Sequence, residues 1–327
     1  MVKNVYQKAT AVTEYDRSHG LLGQDGTKIP DADQFFKDLA KTLADALPNG
    51  RDVSLIDLGV GHGGFVFLPL LSKLSSASRN VTLTVGVDNS NHMLMEYKKR
   101  WADTFSSRIL KETKNLPGAG AKGDFFFEAD IECLLASCVA KEQSPRFDVV
   151  VLTGVLHHVL NWREVLTTVV EKLLCKDGMI VLAERDMDAD FFDGNFCQHL
   201  DFIESASNLL SVKLDPWRRI WLTVYGVRAK VGIPWEPEVR VSDATPCIAF
   251  LLDVGFVHMQ ERPITGLWKN IYRRTDLERW LQSPSLSNFS RGVTDEVRTD
   301  ISKVVKDSPA SEFQILESWR YYALRRP

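Results

Sequence analysis

The sequence has few cysteines, no run of basic residues and no long apolar stretch. Its five cysteines are scattered and none forms a CxxC pair, which argues against a zinc site or a disulfide framework. Lys and Arg number 40 against 43 Asp and Glu, a net charge of -3, so nucleic-acid binding is not indicated. No apolar run is long enough to span a bilayer, and residues 1–20 lack the apolar core of a signal peptide. These absences predict a cytoplasmic protein with reduced thiols.

A glycine-rich stretch between two apolar segments, Val53–Gly64, is the most informative part of the chain. A short apolar run carries Asp57 near its end. Four glycines follow it, Gly59, Gly61, Gly63 and Gly64. The pattern predicts a buried strand, a tight turn and the start of a helix, with backbone N–H groups that a ligand can approach. A carboxylate so close to the turn is awkward for a pyrophosphate but suits an amino group or a ribose hydroxyl.

Other segments alternate between strand and helix patterns. Apolar or β-branched runs predict strands at Val81–Val87, Phe147–Leu152, Met179–Ala183, Val257–Glu261 and Trp319–Leu324. Another strand, together with the residues that leave it, is predicted at Phe125–Ile131. Helical spacing of apolar residues predicts helices at Asp31–Leu47, His92–Trp101, Arg163–Leu174 and Thr245–Val254. The continuous apolar run at 147–152 is typical of a parallel sheet that is buried on both faces.

The pattern Asp57-x-Gly59-x-Gly61-x-Gly63 resembles motif I of the class I S-adenosylmethionine (SAM)-dependent methyltransferases. Asp88, Asp130 and Leu156-His157-His158 follow in the order of this family, then a helix, Lys-Asp-Gly and a strand. Over about residues 50–185 the set resembles small-molecule methyltransferases of the ubiquinone- and menaquinone-biosynthesis type. The resemblance implies an α/β fold: a seven-stranded, mostly parallel, Rossmann-like methyltransferase sheet with helices on both faces and a helical cap inserted after the fifth strand.

The resemblance also implies SAM as the cofactor, S-adenosylhomocysteine as the product, and no metal. Asp57 and the backbone of Gly59, Gly61 and Gly63 would hold the methionine part of SAM. The further cofactor-binding residues that it implies are Asp88 at the ribose, Asp130, Ile131 and Met93 at the adenine, and Asn89 and Thr153 at the strand exits.

Two of these carboxylates have a structural alternative. Asp88 ends the second predicted strand, where a carboxylate accepts hydrogen bonds from both ribose hydroxyls, but it could instead cap the following helix. Asp130 lies where the family contacts the adenine amino group, although Asp at a strand end is often a turn former.

His157 is the candidate catalytic base. Methyl transfer is an in-line displacement that usually needs a base, and a neutral imidazole can take a hydroxyl or ammonium proton. The spacing of Leu156-His157 and Trp162 is similar to that of plant small-molecule O-methyltransferases with a catalytic histidine, although His158 replaces their Asp. In the alternative, one histidine supports the cofactor loop, the other packs, and proximity and desolvation suffice.

Substrate contacts are predicted on both sides of the cofactor-binding core. They are Tyr15, Trp162, Asp186 and Trp217. The acid-rich stretch Glu184–Asp193 could hold a cationic acceptor or be a solvated loop, and the tryptophans could line an aromatic pocket or pack on a helix. His62, inside the glycine turn, is expected to point to solvent or to flank the methionine end of the cofactor.

Missing motifs narrow the reaction. The fourth strand ends at Thr153 rather than at the carboxylate of metal-dependent catechol methylation, so no divalent metal is expected. The Asn/Asp-Pro-Pro-Tyr/Phe sequence of base or glutamine-amide N-methylation is also missing from the sequence.

The chain divides into an N-terminal lid segment, a core, a cap and a C-terminal part. Their predicted limits are 1–30, 31–185, 186–242 and 243–327, the last with an inserted helical segment at 263–318 that forms a lid or an oligomer surface. The predicted function is SAM-dependent methylation of an O or N atom of a small molecule, a natural-product or metabolic intermediate. No nucleic-acid partner and no membrane insertion are expected, and the oligomeric state is open, a homodimer being one option.

The sequence leaves two alternatives to this function. A protein with this fold could bind SAM without transferring methyl, in a cyclisation or as an inactive partner subunit. A nicotinamide dehydrogenase is disfavoured, because the glycines lack GxGxxG spacing and Asp57 would repel a pyrophosphate.

Overall fold

The computed structural model describes residues 16, 22, 27–48, 50–139, 144–159, 161–185, 244–260, 262–273, 275, 306 and 312–327. The helices within these residues are α1 (Pro30–Ala46), α2 (Phe67–Ser76), α3 (Asn91–Thr104), α4 (Ile131–Val139), α5 (Trp162–Thr168) and α6 (Thr245–Asp253). A 3-10 turn at Leu156–His158 and a π-helical turn at Val169–Leu173 accompany them. The strands are β1 (Val53–Leu58), β2 (Val81–Asp88), β3 (Leu110–Glu112), β4 (Gly123–Glu128), β5 (Phe147–Thr153), β6 (Leu174–Arg185), β7 (Val257–His258), β8 (Ile264–Arg273) and β9 (Glu312–Arg325).

The strands form one mostly parallel sheet. Its order is β3-β4-β2-β1-β5-β6-β9-β7, with β8 also paired to β9. The first six strands of this order run parallel, whereas β9 is antiparallel to β6, β7 and β8. In register, Asp57 of β1 lies beside Gly86 of β2, and Asp88 lies beside Glu128 of β4. The carboxyl ends of β1, β2 and β4 therefore meet at one edge of the sheet.

Apolar side chains cover the sheet on both faces. Alternate residues of a strand point to opposite faces, so Leu55 joins one core cluster and Ile56 the other. Helices α1, α2 and α3 contribute to the first cluster, and α4, α5 and α6 to the second. Leu55 and Ile56 are both fully buried, as a parallel sheet between two helical layers requires.

The predicted α/β, Rossmann-like methyltransferase fold is confirmed, but the sheet has nine strands rather than seven. The first extra strand, β3, is three residues long and lies at the edge, where Lys111 and Glu112 are exposed and give no apolar signal. The second, β8, falls within the segment 263–318 that was expected to be helical. Its ten residues pair antiparallel with β9, which itself begins within that segment at Glu312.

Two predicted elements lie outside the described residues. These are the helical cap at 186–242 and the helix expected near residues 293–304. No helix of the described residues is both long and apolar enough to cross a bilayer.

Candidate functional site

The glycine-rich turn follows β1 and is held by hydrogen bonds to β2. The N–H groups of Gly59 and Val60 both donate to the carbonyl oxygen of Val87, each at 2.8 Å. Gly59, Gly61 and Gly63 have φ angles of 90°, 53° and 73°, in the left-handed region that favours glycine. The predicted strand, turn and helix are confirmed.

The turn is tightly packed at two glycines and open at the one between them. A Cβ on Gly59 would lie 2.5 Å from Val155 Cγ2, just beyond β5, and one on Gly63 would lie 2.7 Å from Tyr97 Cδ2 on α3. A Cβ on Gly61 would meet none of the described atoms within 4 Å. The turn therefore gives a ligand access at Gly61, at the carboxyl edge of the sheet where open α/β folds bind ligands.

Asp57 is buried beside this turn and is 3% exposed. Its Oδ1 has no hydrogen-bond partner among the described residues. Burial, and then the negative charge of Asp88, raise the pKa of Asp57 well above its ordinary value. An unsatisfied buried oxygen costs about 1–3 kcal/mol. A ligand that donates a hydrogen bond or carries a positive charge would offset that cost.

Asp88, the last residue of β2, is oriented by hydrogen bonds from backbone N–H groups, among them those of Gly61 and Ser90. Its Oδ2 accepts from the Gly61 N–H and its Oδ1 from the Ser90 N–H, both at 2.8 Å. Burial raises the pKa of Asp88 to about 6, with the charge of Glu128 adding to the shift and the backbone bonds opposing it. Ser90 is the N-cap of α3, because its Oγ accepts from the Met93 N–H. The capping alternative for Asp88 is therefore wrong, and its ribose role stays a prediction.

Asp130 precedes α4 and lies on the exposed side of the same strand edge. Its Oδ1 accepts from the N–H groups of Glu132 and Cys133, at 2.9 and 3.1 Å, so it caps the start of α4. The structural alternative given by the sequence was a turn former rather than a helix cap. Ile131 is 8% exposed and joins the apolar core. Contact of either residue with adenine stays a prediction.

The remaining predicted cofactor residues lie near the ends of β2 and β5. Asn89 is exposed directly after β2, and Met93 is buried in the first turn of α3. Thr153 is the half-buried last residue of β5. Contact of these three residues with the cofactor stays a prediction.

His157 and Trp162 follow β5. The backbone of His157 belongs to the 3-10 turn, whose first residue, Leu156, is fully buried. The Trp162 ring packs edge-on against Phe250 with centroids 6.1 Å apart, and the Arg163 guanidinium lies 4.5 Å from its centroid. Trp162 therefore packs against the core, and its substrate contact stays a prediction. The other predicted substrate residues, Tyr15, Asp186 and Trp217, lie outside the described residues.

His62 does not point to solvent, so that option is wrong, and its place beside the methionine end of the cofactor stays a prediction. Its side chain is fully buried, and its Nε2 lies 2.6 Å from Oδ1 of Asp16. The other oxygen of Asp16 accepts from Arg100 of α3, also at 2.6 Å. The sequence interpretation missed Asp16, Arg100 and Tyr97. Gly86, a glycine inside a β-branched strand, was a usable signal for Tyr97, because such a glycine often marks a close approach.

No group of three or more His, Cys, Asp or Glu side chains in the described part of the chain could hold a metal ion.

A family model described as a methyltransferase domain matches residues 32–230, more than half of the chain. No curated protein matches the sequence. Similar solved structures include a SAM-dependent methyltransferase from Thiobacillus denitrificans in complex with S-adenosyl-L-homocysteine (13% identity, 97% of both chains, TM-score 0.44). Magnesium protoporphyrin IX methyltransferase from Synechocystis PCC 6803 is also similar (14% identity, 99% of both chains, TM-score 0.44). A cyclase shares 12% identity over 89% of this chain and 81% of its own, with a TM-score of 0.40.

Replacement of Asp57 by Asn should stabilise the ligand-free protein as the pH rises. The pKa of Asp57 is higher in the folded protein than its ordinary 3.8, so the unfolded chain loses the proton first. The free energy of unfolding of the wild type therefore falls from about pH 4 up to the folded pKa. Asn does not ionise, and the variant should gain about 1–3 kcal/mol over the wild type in this range. Chemical denaturation at several pH values measures the difference.

The exposed Asp103 of α3 offers a matched control, because Asp103→Asn removes the same charge from the surface. A stability difference between Asp57→Asn and wild type that stays constant with pH would contradict the assignment of a strained, buried carboxyl group to Asp57.

Proposed function

The chain belongs to the methyltransferase-domain family whose model matches residues 32–230, and we propose that it transfers the methyl group of SAM to an O or N atom of a small molecule. When bound, SAM supplies an electrophilic methyl group on a sulfonium sulfur, and S-adenosylhomocysteine is the by-product. The acceptor class rests on the resemblance to small-molecule methyltransferases carried by Leu156-His157-His158 and the motifs before it. The chain's own residues would bind and orient both reactants.

The observation that carries this proposal is the buried Oδ1 of Asp57, which has no hydrogen-bond partner among the described residues and lies beside the turn. The methionine part of SAM carries an ammonium group, which both donates hydrogen bonds and has a positive charge. An opposite charge next to Asp57 would favour its ionised form and offset the cost of burying it. The N–H groups of a glycine-rich turn at a helix start suit the carboxylate of the same ligand.

In this proposal, Asp88 accepts the ribose hydroxyls. A carboxylate has about four lone-pair sites, and the backbone N–H groups of Gly61 and Ser90 each use one, on different oxygens of Asp88. The backbone of Asn89 also bonds the carboxyl group, and the acceptor capacity that remains would serve the hydroxyl groups. The backbone bonds fix the plane of the carboxyl group, so little side-chain entropy is lost on binding.

His157 is our candidate base because of its place in the chain. The 3-10 turn that contains it begins three residues after β5 ends, and the buried Leu156 anchors this turn in the core. A base there lies near the carboxyl edge of the sheet, close to Gly59, whose neighbour Val155 immediately precedes the turn. Its role would be to accept the proton of a hydroxyl or ammonium acceptor.

Replacement of Asp88 by Ala should weaken SAM binding about 10-fold to 100-fold. The loss of charge-assisted hydrogen bonds to hydroxyls costs about 1.5–3 kcal/mol, which corresponds to this range. Calorimetric titration of SAM, S-adenosylhomocysteine and NAD into wild type and variant measures the effect. Wild type should bind the first two and not NAD.

Asp103→Ala, at an exposed site of α3, should bind SAM like the wild type. If Asp88→Ala does not fold, Asp88→Asn replaces it in the titration. Equal affinity of wild type and Asp88 variants would contradict the ribose assignment. Binding of SAM without S-adenosylhomocysteine release across a panel of small-molecule acceptors would favour a protein that uses SAM without transferring its methyl group.

Replacement of His157 by Ala should lower kcat about 100-fold to 10,000-fold with an accepted substrate, while SAM affinity changes little. A general base acts on the acceptor proton and not on the cofactor, so the acidic limb of the pH–rate profile should also disappear. Methyl transfer is followed by mass spectrometry and S-adenosylhomocysteine release. His158→Ala is the matched control in the same 3-10 turn. An unchanged kcat in His157→Ala would show that proximity and desolvation suffice.

A further inference from the structure

Three charged or titratable side chains meet behind the glycine turn. Asp16 is 2% exposed, and its two oxygens lie 2.6 Å from His62 Nε2 and 2.6 Å from an Arg100 nitrogen. Arg100 also donates from Nε to Glu96 at 3.1 Å. Asp16, His62 and Arg100 thus form a charged cluster that joins three parts of the chain: the N-terminal region, the turn and α3.

The hydrogen bonds of His62 fix its tautomer. Its Nδ1 accepts from the Gly64 N–H at 3.0 Å, and an Arg100 nitrogen, which can only donate, lies 3.2 Å from the same atom. Nδ1 therefore carries no proton, and the proton of the neutral ring is on Nε2, which faces Asp16. Burial alone would raise the pKa of Asp16, but the contact with His62 and the charge and hydrogen bond of Arg100 lower it. Asp16 is accordingly an anion that lies beside Nε2 of the neutral ring.

The turn is built around the cluster. A Cβ on Gly64, which lies outside the Asp-x-Gly-x-Gly-x-Gly pattern, would lie 2.7 Å from Arg100 and 2.8 Å from His62 Cε1. A larger residue there would force the Arg100 or His62 side chain to move. The His62 ring stacks on Phe65 with centroids 5.6 Å apart. His62 is held from both sides, and it holds the Gly64 N–H in turn.

Asp16 connects the cluster to α1. Its carbonyl oxygen accepts from the Leu22 N–H at 3.2 Å, and Leu22 forms an antiparallel bridge with Lys28, two residues before α1 begins. The contact between Asp16 and His62 thus spans the chain from before α1 to the turn after β1.

We propose that His62, held by Asp16 and Arg100, is a positioning residue that keeps the glycine turn in its SAM-binding shape, so that the N-terminal region and cofactor affinity are coupled. This inference rests on the proposed function. His62 acts in the neutral state: protonation at Nδ1 would turn an acceptor into a donor that faces the Gly64 N–H and the Arg100 guanidinium. The charged groups around the ring are Asp16 from the N-terminal region and Arg100 and Glu96 from α3.

A double-mutant cycle with His62→Phe and Asp16→Asn tests the coupling. Phe keeps a ring for stacking on Phe65 but cannot accept from Gly64. At about pH 8, where an ordinary histidine is neutral, each single variant should bind SAM at least 10-fold more weakly than wild type. The double variant should be little worse than the weaker single variant, because the residues act as one unit.

A variant that keeps an acceptor separates positioning from a merely structural role. His62→Asn has an oxygen near the position of Nδ1 that can accept from the Gly64 N–H, whereas Phe only keeps the ring that stacks on Phe65. His62→Asn should therefore bind SAM several-fold more tightly than His62→Phe, whereas a role in packing alone would favour Phe. His258→Phe, the same change at an exposed histidine of β7, is the control.

Each outcome decides a different claim. Equal SAM affinity in wild type and variants overturns the positioning role alone, and so does a His62→Asn variant that binds SAM no more tightly than His62→Phe. No SAM binding by wild type overturns the proposed function and this inference with it.

A measurement on the wild type covers variants that fail to fold. The ¹⁵N chemical shifts of the His62 ring near pH 8 should show a proton on Nε2 and none on Nδ1. A proton on Nδ1 would overturn the inference.

Discussion

Two neighbouring carboxyl groups buried at the ends of adjacent strands impose the main constraint on this structure. Burial, and then the charge of Asp88, raise the pKa of Asp57, and burial also raises the pKa of Asp88. Oδ1 of Asp57 lacks a partner within the described residues. Such an arrangement costs stability in the free protein. It becomes favourable when a cationic, hydrogen-bond-donating ligand lies beside it, which is the chemistry of the methionine part of SAM.

The surroundings of the turn serve to keep this arrangement in place. Val155 after β5 packs close to Gly59, and Tyr97 from α3 packs close to Gly63. Gly61 has no such neighbour among the described residues, and its N–H donates to Asp88. Stiffness of this kind reduces the ordering cost of binding. Residues from a neighbouring strand and from a helix therefore hold the turn in its conformation. The charged cluster behind the turn adds a contact to the N-terminal region.

The sequence was sufficient for the parallel half of the fold, since its strands are apolar runs and its turn has glycines where the backbone has positive φ. It was not sufficient for β3, a polar edge strand, or for β8, whose pairing with β9 is set by a distant segment. At the site, Asp57 was predicted because it lies two residues before the first glycine of the turn, and Asp88 because it ends the next apolar strand along the chain. Asp16, His62 and Arg100 meet only through tertiary packing, and no local spacing predicts a contact between residues 84 apart along the chain.

Proton release on SAM binding tests the central claim most directly. Titration calorimetry at about pH 6 in buffers of different ionisation enthalpy measures the protons released, in wild type and in Asp57→Asn. If the ligand's ammonium group pairs with the buried carboxyl group, binding should shift its pKa down and the wild type should release a proton fraction that the variant does not. Release that is equal in both proteins, or none in the wild type, would contradict the pairing of Asp57 with the cofactor.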